Sequence, residues 1–363
     1  MTKPNNWLAV ILVLIGLPVG LLNATQAQSQ LVVGTWGGHY EVGQQKVFFK
    51  PFEGLAKIEV DPVPHGGNLH KLIAKHVSGH QKWDVLDLDQ VSLENACRSG
   101  FVTSIDQEIL PPGIGGLKPE EDFLTGGIHE CGIAHSAWSK IFAVKLSAFE
   151  ESPPPQSIAE LFDLENHPGG RGFFKSPEGL LELALLSEGV PQAEIYSTLA
   201  SETGLQRALD KLTTIRKQIF WLKSSQQGLD LLEEGKIKIA QGFHNDLLAM
   251  ASNQENGIAL LWDHQLLALS YWAVVASSAV KDKALEFVSF ATSPGATASQ
   301  ASFLGYGPSR RSAQSLVRED LRAYMPTHPD HLQSSFMIDF YWWDNEGRKA
   351  KSAFWNWHRS GVK

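Results

Sequence analysis

The sequence lacks the short motifs that mark most catalytic sites. It has no GxSxG nucleophile elbow, no HExxH zinc motif and no CxxC pair. The glycine-rich stretch GTWGGHY, residues 34–40, matches neither the Walker pattern nor the GxGxxG pattern. Carboxylates are plentiful, but none of them stands out as an acid–base pair. We therefore expect that the protein is not an enzyme and that it needs no cofactor.

An excess of basic residues is also missing. Lys and Arg number 31 against 39 Asp and Glu, which gives a formal net charge of −8. Nucleic acids and anionic surfaces are bound through basic patches, so this balance argues against both as partners. With 43% hydrophobic and 19% charged residues, the composition is that of a folded, soluble protein.

Long apolar runs are confined to the N-terminus, where residues 7–22 carry no charge. One lysine, Lys3, precedes the run, and the small residues Thr25 and Ala27 follow it. Such a run is short for a membrane span but typical of a secretory signal peptide. We predict that residues 1–27 are a signal peptide, cleaved near Ala27, and that the mature protein is periplasmic. A permanent membrane anchor is the alternative.

Cysteine is scarce, since Cys97 and Cys131 are the only two in the chain. In an exported protein an even number of cysteines indicates a disulfide. Closing a loop of this length would stabilise the fold by roughly 3–4 kcal/mol on the chain-entropy model. Two separate buried thiols are the alternative.

Hydrophobic periodicity predicts strands that alternate with helices. The first region contains three predicted strands, QLVVGTW, KIEVDPV and WDVLDL, each followed by a predicted helix. A proline-rich stretch, residues 150–157, interrupts this order, and a second region of alternating helices and strands follows. The pattern predicts two α/β lobes, in which a ligand would lie beyond the carboxyl ends of the strands.

Aromatic residues recur at the ends of the predicted strands. They are Trp36, Trp138, Phe243, Tyr271 and Trp272. Rings around a pocket can hold an ammonium group by cation–π contact or enclose an apolar chain. Asp87 and Asp89 lie on one face of a predicted strand near one such end, where either could receive a cation. For each single ring, core packing is the alternative.

The histidines offer only a weak metal site. His76 and His80 have the i, i+4 spacing that places two ligands on one helix face. Lys71, Lys75 and Lys82 surround them, and these charges would repel a divalent cation. We expect no metal site, and a solvated helix face explains these histidines equally well.

The order of several longer stretches resembles the extracellular solute-binding proteins (family 1) of ABC importers, in particular their spermidine/putrescine-binding branch. The stretches are TWGGHYEVGQQKVFFKPFE, WDVLDLD, ACRSGFV, ECGIAHSAWSKIFAV, SIAELFDLENHPGGRGF, LELALLSEGVPQAEIY, YWAVV, FVSFATSPGATA and GYGPS. The resemblance implies a two-lobed, hinged α/β fold of periplasmic-binding-protein type II, with a mostly parallel sheet flanked by helices in each lobe. It implies capture of a small ligand and delivery to an inner-membrane permease, without catalysis. The paired cysteines also resemble a subset of this family.

The resemblance and the aromatic pattern together give a set of candidate ligand-binding residues. The set is Trp36, Asp89, Ser136, Trp138, Phe243, Ser270, Trp272 and Tyr306. Phe243 stands where the family often has tryptophan, and Tyr306 in GYGPS matches the family's binding tyrosine.

The sequence also departs from the polyamine-binding pattern. Ser270 stands where polyamine binders place an aspartate, and Ser176 and Gly179 stand where they place acids, with Glu178 shifted by one position. Because each buried ammonium needs a partner, the loss of carboxylates weakens the case for a multiply charged amine. Lys175 at the same helix start could instead meet a carboxylate.

These features lead to a ranked set of functions. A polyamine such as putrescine or spermidine is the first expectation, and a 4-aminobutyrate-like amino acid is the alternative. A thiaminase-like enzyme on the same fold would need a free cysteine, and a metal-binding protein would need His76.

We expect a monomer with five segments. They are the signal peptide 1–27, lobe one at 28–141 and 270–312, lobe two at 142–269, and C-terminal helices at 313–363 that pack on lobe two.

Overall fold

The computed structural model describes Met1 and residues 30–149, 153–251 and 257–361. Apart from Met1, the predicted signal peptide lies outside the described residues. None of the helices in the described segments has the length and apolar character needed to cross a membrane.

The secondary structure alternates between strands and helices, as the periodicity predicts. The strands are β1 Gln30–Thr35, β2 Glu59–Pro64, β3 Val85–Asp89, β4 Ile128–His129, β5 Gly132–Lys145, β6 Arg171–Phe174, β7 Ile219–Leu222, β8 Ile239–Phe243, β9 Ile258–Val274, β10 Gly307–Pro308 and β11 Phe336–Met337. The helices are α1 Gly38–Gln44, α2 Lys50–Ala56, α3 Leu69–Val77, α4 Gln90–Arg98, α5 Pro119–Asp122, α6 Ile158–Leu161, α7 Leu180–Leu186, α8 Ile195–Ala200, α9 Glu202–Ile215, α10 Ser225–Glu233, α11 His244–Ala251, α12 Lys281–Ala291, α13 Pro294–Leu304, α14 Glu319–Arg322, α15 Pro329–Leu332, α16 Phe340–Asn345 and α17 Arg348–Ser360.

The described strands form one mixed sheet with the order β2-β1-β3-β9-β5-β8-β6-β7. Strands β2, β1 and β3 are parallel to one another, and so are β8, β6 and β7. Between these two groups lie the long strands β9 and β5, which are antiparallel to each other and to their outer neighbours. The architecture is α/β, with a parallel group of strands on each side, as predicted.

The long strands β5 and β9 pair in two separate stretches. Residues 133–140 of β5 pair with 266–272 of β9, and residues 142–145 pair with 258–261. The register shifts between these stretches, and residues 262–265 of β9 have no partner on β5. His264, in that gap, has the left-handed φ of 49°. The two strands therefore run from one side of the molecule to the other through an irregular midpoint.

Separate hydrophobic cores lie on the two sides of this midpoint. Trp272 and Phe287 belong to a core built on β1, β3 and the start of β5. Phe142 and Leu181 belong to another core, which also buries Phe354 of α17. The last two helices, α16 and α17, therefore pack on the core around α7. The segment before them packs instead on α13, since Val317 and Met325 share a cluster with Ala301. The lobe limits at 141/142 and 269/270 stay a proposal.

A disulfide joins Cys97 at the end of α4 to Cys131 just before β5. The predicted pairing is thus confirmed, and because the chain has only these two cysteines, neither of them carries a free thiol. Gly100, two residues beyond α4, has a positive φ of 70°, which suits the glycine that commonly ends a helix.

A buried ion pair holds the segment that follows β10. The Arg310 guanidinium and the Asp122 carboxylate are both 0% exposed, with Nη1 and Oδ2 3.1 Å apart. Asp122 also accepts hydrogen bonds from the backbone N–H and the hydroxyl of Ser312. Arg310 donates to the carbonyl oxygens of Thr292 and Pro111. The charges are therefore matched by many hydrogen bonds, which a buried ion pair requires.

Breaking this ion pair should destabilise the protein strongly. We expect Asp122→Asn to lower the free energy of unfolding by about 3–5 kcal/mol, because Arg310 would remain buried without a counter-charge. The measurement is urea unfolding followed by circular dichroism. Asp320→Asn, which breaks the exposed Arg318–Asp320 pair, is the control and should change little. Equal effects of the two variants would contradict the prediction.

A buried carboxyl joins the C-terminal helices to α7. Glu182 is 0% exposed and accepts hydrogen bonds from the Trp343 indole, the Gly179 N–H and the Tyr196 hydroxyl. Burial raises the pKa of Glu182 from 4.5 to about 7 despite these hydrogen bonds. The folded state therefore holds this proton at pH values where the unfolded state has lost it.

This pKa shift predicts a pH dependence of stability. A carboxyl with a raised folded-state pKa stabilises the fold fully below pH 4.5, and that contribution falls as the pH rises through 7. The loss between pH 5 and 8 should reach about 3 kcal/mol at most. Glu182→Gln, which cannot ionise, should show a smaller decrease in urea unfolding over this range. The exposed Glu346→Gln should behave like the wild type, and identical pH profiles for all three proteins would refute the prediction.

Candidate functional site

A cavity of about 310 Å³ opens near the midpoint of the sheet. Its lining residues come from the interior of the long strands β5 and β9, from the ends of other strands and from the helices or loops that follow them. They are Trp36, Tyr40, Asp89, Trp138, Phe243, Asn245, Asp246, Ser270 and Tyr306. Six of the eight predicted residues are thus brought together, namely Trp36, Asp89, Trp138, Phe243, Ser270 and Tyr306.

Trp36 forms an outer wall of the cavity, in the turn between β1 and α1. The next two residues, Gly37 and Gly38, have φ angles of 79° and 62°, so the chain turns sharply here at no steric cost. The ring packs edge-on against His65, with centroids 4.9 Å apart. It also covers Gly67, where a Cβ atom would lie only 2.9 Å from the indole. Trp36 remains 39% exposed, so a large part of its ring is free to meet a ligand.

Asp89 and Ser270 face each other across the antiparallel pair β3 and β9. Asp89 Oδ1 accepts a hydrogen bond of 2.7 Å from the Ser92 N–H and so caps α4. Its other carboxylate oxygen has no hydrogen bond within the described residues. One oxygen therefore orients the carboxylate, and the other is available to a donor in the cavity.

Tyr40 and Tyr306 pack edge-to-face with ring centroids 5.1 Å apart. Burial, followed by the nearby Asp87, raises the pKa of Tyr40 well above 10. Burial also raises the pKa of Tyr306, with the negative charge of Asp246 as the next cause. Both residues therefore stay protonated at neutral pH and can donate a hydroxyl hydrogen bond.

A buried polar network lies behind Tyr40. His135 joins Asp87, at 3.1 Å from Nε2 to Oδ1, to Gln300, at 3.2 Å from Nδ1 to Oε1. Gln44 donates to the other oxygen of Asp87 at 2.7 Å, and Gln300 donates weakly to the Tyr40 hydroxyl at 3.4 Å. The four inner side chains are 0% exposed. This network fixes the wall behind the cavity, because unpaired polar groups at this depth would be costly.

His244 positions the loop that carries Tyr306. Its Nε2 donates to the carbonyl oxygen of Gly305 at 2.7 Å, and its Nδ1 accepts from the Ser139 N–H at 3.2 Å. Burial lowers the pKa of His244 to about 4, so the ring is neutral and can act as donor and acceptor at once. Strand β5 and the loop before β10 are thus joined through one imidazole.

The opposite wall comes from β5, β8 and α11. Trp138 packs edge-on against Phe243 with centroids 5.6 Å apart. Asn245 and Asp246 lie two and three residues after Phe243, on the first turn of α11. Among the described residues, the lining contains two carboxylates, Asp89 and Asp246, and no lysine or arginine. Aromatic faces and carboxylates together favour a ligand with a positive charge.

Two predicted site residues do not reach the cavity. Trp272 is 0% exposed, stacks on His135 at 4.4 Å and lies 5.2 Å from Phe287 between ring centroids. Trp272 pairs with Asp87, which lies two residues before Asp89 at the end of β3. At this distance from the strand end, helices cover the Trp272 side chain. Ser136 is also 0% exposed and lies behind the Tyr40 hydroxyl. Both predictions are wrong for direct lining residues. Trp272 lies deeper along β9, against the ring of Phe287, and Tyr40 separates Ser136 from the cavity.

Two other residues considered in the sequence analysis, Tyr271 and His76, form hydrogen bonds within the fold. Tyr271 is 2% exposed and donates its hydroxyl to the Gly126 carbonyl oxygen. His76 accepts a hydrogen bond from the Trp83 N–H through Nδ1, and its Nε2 lies 2.9 Å from the Ser277 hydroxyl. Both imidazole nitrogens of His76 are thus engaged.

Three lining residues, Tyr40, Asn245 and Asp246, were missed by the sequence analysis. Tyr40 lies within the quoted glycine-rich stretch, four residues after Trp36 and in the first turn of α1. Asn245 and Asp246 lie two and three residues after a predicted strand end. Their position after Phe243 is the signal that could have identified them.

Trp272 lies in the core and Trp36 lies at the edge of the cavity, so replacing them should affect the free energy of unfolding differently. Trp272→Ala should lower the free energy of unfolding by about 3–5 kcal/mol, because it leaves a large cavity among packed rings. Trp36→Ala should leave the stability of the ligand-free protein nearly unchanged, since its ring is partly in solvent. Urea unfolding of both variants without ligand tests this. A large loss for Trp36→Ala would place its ring in the core instead.

Comparisons with known proteins agree with this geometry. A family model described as bacterial extracellular solute-binding protein matches residues 48–324. A gamma-aminobutyric acid-binding protein of Pseudomonas aeruginosa is 30% identical over 335 residues, 92% of each chain. The solved Atu4243–GABA receptor has a TM-score of 0.75 at 22% identity and covers 91% of this chain and 97% of its own.

A spermidine/putrescine-binding protein from Streptococcus pneumoniae also shares the fold. It has a TM-score of 0.72 at 16% identity and covers 91% of this chain and 99% of its own. The predicted two-lobed solute-binding fold is confirmed by these structures. From the family match and the 30% identical relative together, we conclude that the chain belongs to the bacterial extracellular solute-binding protein family.

Proposed function

We propose that this protein is the substrate-binding component of an ABC importer and captures 4-aminobutyrate (GABA) or a closely related ω-amino acid. It would work in the periplasm and deliver the ligand to a permease in the inner membrane. The relative with 30% identity is named a gamma-aminobutyric acid-binding protein, and the match covers 92% of this chain. The observation that carries the proposal is the aromatic cavity with Asp89 and Asp246 in its lining.

The cavity offers suitable groups for the ammonium end of such a ligand. Asp89 supplies a carboxylate oxygen that is not engaged in capping α4. Trp36 and the two tyrosines provide ring faces nearby. An ammonium group gains from both, because a desolvated cation is stabilised by an opposite charge and by the negative face of an aromatic ring.

A polyamine is less well supported as the ligand. Ser270 faces Asp89 at the position where the polyamine-binding pattern has an aspartate. The two carboxylates of the lining, Asp89 and Asp246, are fewer than the three amino groups of spermidine require. An enzyme of the thiaminase-like kind would need a free cysteine, but Cys97 and Cys131 are joined to each other.

Capture would involve closure of the two lobes around the ligand. The only strand pairing between the two sides in the described part of the chain runs through β9, β5 and β8. The register shift between Lys140 and Phe142 interrupts that pairing beside the cavity. A ligand that touches both walls binds the closed form more tightly and so shifts the population toward it. The permease would then recognise the closed form.

Calorimetric titration tests the ligand class. We expect 4-aminobutyrate to bind with one site per chain and at least about tenfold more tightly than putrescine or spermidine, a difference of about 1.4 kcal/mol. Trp36→Ala should weaken this binding by about 1–3 kcal/mol through the loss of a ring wall. No heat with any of the three ligands would reject the class, and a preference for putrescine would restore the polyamine hypothesis.

A further inference from the structure

One lysine beside the cavity has no ion-pair partner within the described residues. Lys140 lies on β5, two residues after Trp138, and pairs in register with Phe243 on β8. Alternation places Trp138 and Lys140 on the same face of the strand, and pairing places Phe243 next to Lys140. Both neighbours line the cavity. The half-buried Lys140 therefore lies behind Trp138 and Phe243, which form the wall that a ligand would contact.

The Lys140 ammonium lies between two aromatic rings. Its Nζ is 5.9 Å from the centroid of Phe243 and 5.9 Å from that of Phe174. Burial lowers the pKa of Lys140, and the charges of Glu178 and Glu182 partly oppose this shift. Such a position stabilises the cation only moderately, since ring contacts are weaker than a direct carboxylate partner.

The two carboxylates near Lys140 are already engaged elsewhere. Glu178 pairs with Lys351, with Oε1 and Nζ 3.0 Å apart, and accepts a hydrogen bond from the Ser176 hydroxyl. Glu182 is held by the indole of Trp343 and by the Gly179 N–H. Neither carboxylate lies within ion-pair distance of Lys140. A ligand anion could therefore supply the direct partner that the fold does not.

Lys175, which the sequence analysis suggested as a partner for a carboxylate, does not lie where it could bind the anionic group of a ligand in the cavity. Its side chain is exposed, and its ammonium lies 5.9 Å from the ring centroid of Trp355 on α17. It therefore faces the C-terminal helix. Lys140, on a central strand, instead places its ammonium 5.9 Å from the ring centroid of the cavity residue Phe243.

We propose that Lys140 recognises the carboxylate of the ligand and so makes the site selective for ω-amino acids over diamines. This inference rests on the proposed function and names the group that would orient the ligand. The carboxylate would point toward Lys140 past Trp138 and Phe243, and the ammonium would point toward Asp89 and Trp36. The four-carbon stem of lysine is flexible enough to bring its ammonium around the edge of a ring.

The same arrangement disfavours a diamine. The second ammonium of putrescine would enter the region where Lys140 already places a positive charge. Asp246 lies on the same wall, so the repulsion by Lys140 has to exceed the attraction by that carboxylate. Like charges in a partly buried site repel, and selectivity often depends on such an unfavourable contact with the wrong ligand. Lys140 would thus act both as a partner for the amino acid and as a barrier to the polyamine.

The test compares Lys140→Gln with the wild-type protein in calorimetric titrations with 4-aminobutyrate and with putrescine. Glutamine keeps a polar side chain but removes the charge. We expect the affinity for 4-aminobutyrate to fall about 10- to 100-fold, as for loss of a hydrogen bond between charged groups. The affinity for putrescine should stay the same or increase. Lys140→Arg should retain more of the 4-aminobutyrate affinity than Lys140→Gln.

Lys238→Gln is the matched control. Lys238 is also half-buried, with its ammonium 5.0 Å from the ring centroid of Phe149. It lies five residues before Phe243, next to the far end of β8. This variant should bind both ligands like the wild type.

The possible failures are distinguishable. A wild-type protein that binds no 4-aminobutyrate would refute the proposed function and this inference together. Normal 4-aminobutyrate binding by both the wild type and Lys140→Gln would overturn only the role of Lys140. An equal loss for both ligands in Lys140→Gln, with a lower melting temperature of the ligand-free variant, would show that Lys140 is structural.

Discussion

The antiparallel pairing of β5 with β9 is the constraint on which the rest of the structure depends. These two strands run through the centre of the sheet, and each outer group of parallel strands is attached to one of them. The register within this pair places Trp138 opposite Ala268. The registers with the outer strands place Asp89 opposite Ser270 on β9 and Phe243 opposite Lys140 on β5. A slip of one residue would turn the side chains of the moved strand to the other face. The cavity therefore exists only in this register.

Charge is distributed unevenly around the cavity. The lining carries carboxylates, and the lysine that we propose as the anion partner lies behind one wall. Behind the other wall a hydrogen-bonded chain runs from Tyr40 through Gln300 to His135 and Asp87. Gln44 Oε1, also buried there, has no partner in the described part of the chain. A hydrogen-bonded wall on one side, and on the other a lysine without an ion-pair partner among the described residues, suit a ligand with charges of opposite sign at its ends. Separation of the two charges along the ligand would then determine which ω-amino acid fits best.

Much of the site could be predicted because binding residues in this fold follow strand ends. Trp36, Asp89 and Phe243 stand directly at the ends of three strands whose periodicity is clear in the sequence. Trp272 shows the limit of this argument, since the strand that the sequence indicates continues into the core and its end is not at the tryptophan. Lys175 shows another limit. A helix start is visible in a sequence, but the direction of an exposed side chain depends on the neighbouring helix, here α17 with Trp355.

The sequence by itself indicated the alternation of strands and helices, a disulfide between its only two cysteines, and the aromatic and acidic character of the cavity. These properties depend on local periodicity, composition and residue type, which one chain displays directly. Only the tertiary structure decided that Trp272 is core, that Tyr40, Asn245 and Asp246 join the cavity, and that Lys140 lies behind Phe243 without a carboxylate partner in the described part of the chain. Those outcomes depend on the register between strands far apart in sequence, and the register is set by the packing of the whole sheet and not by any short segment.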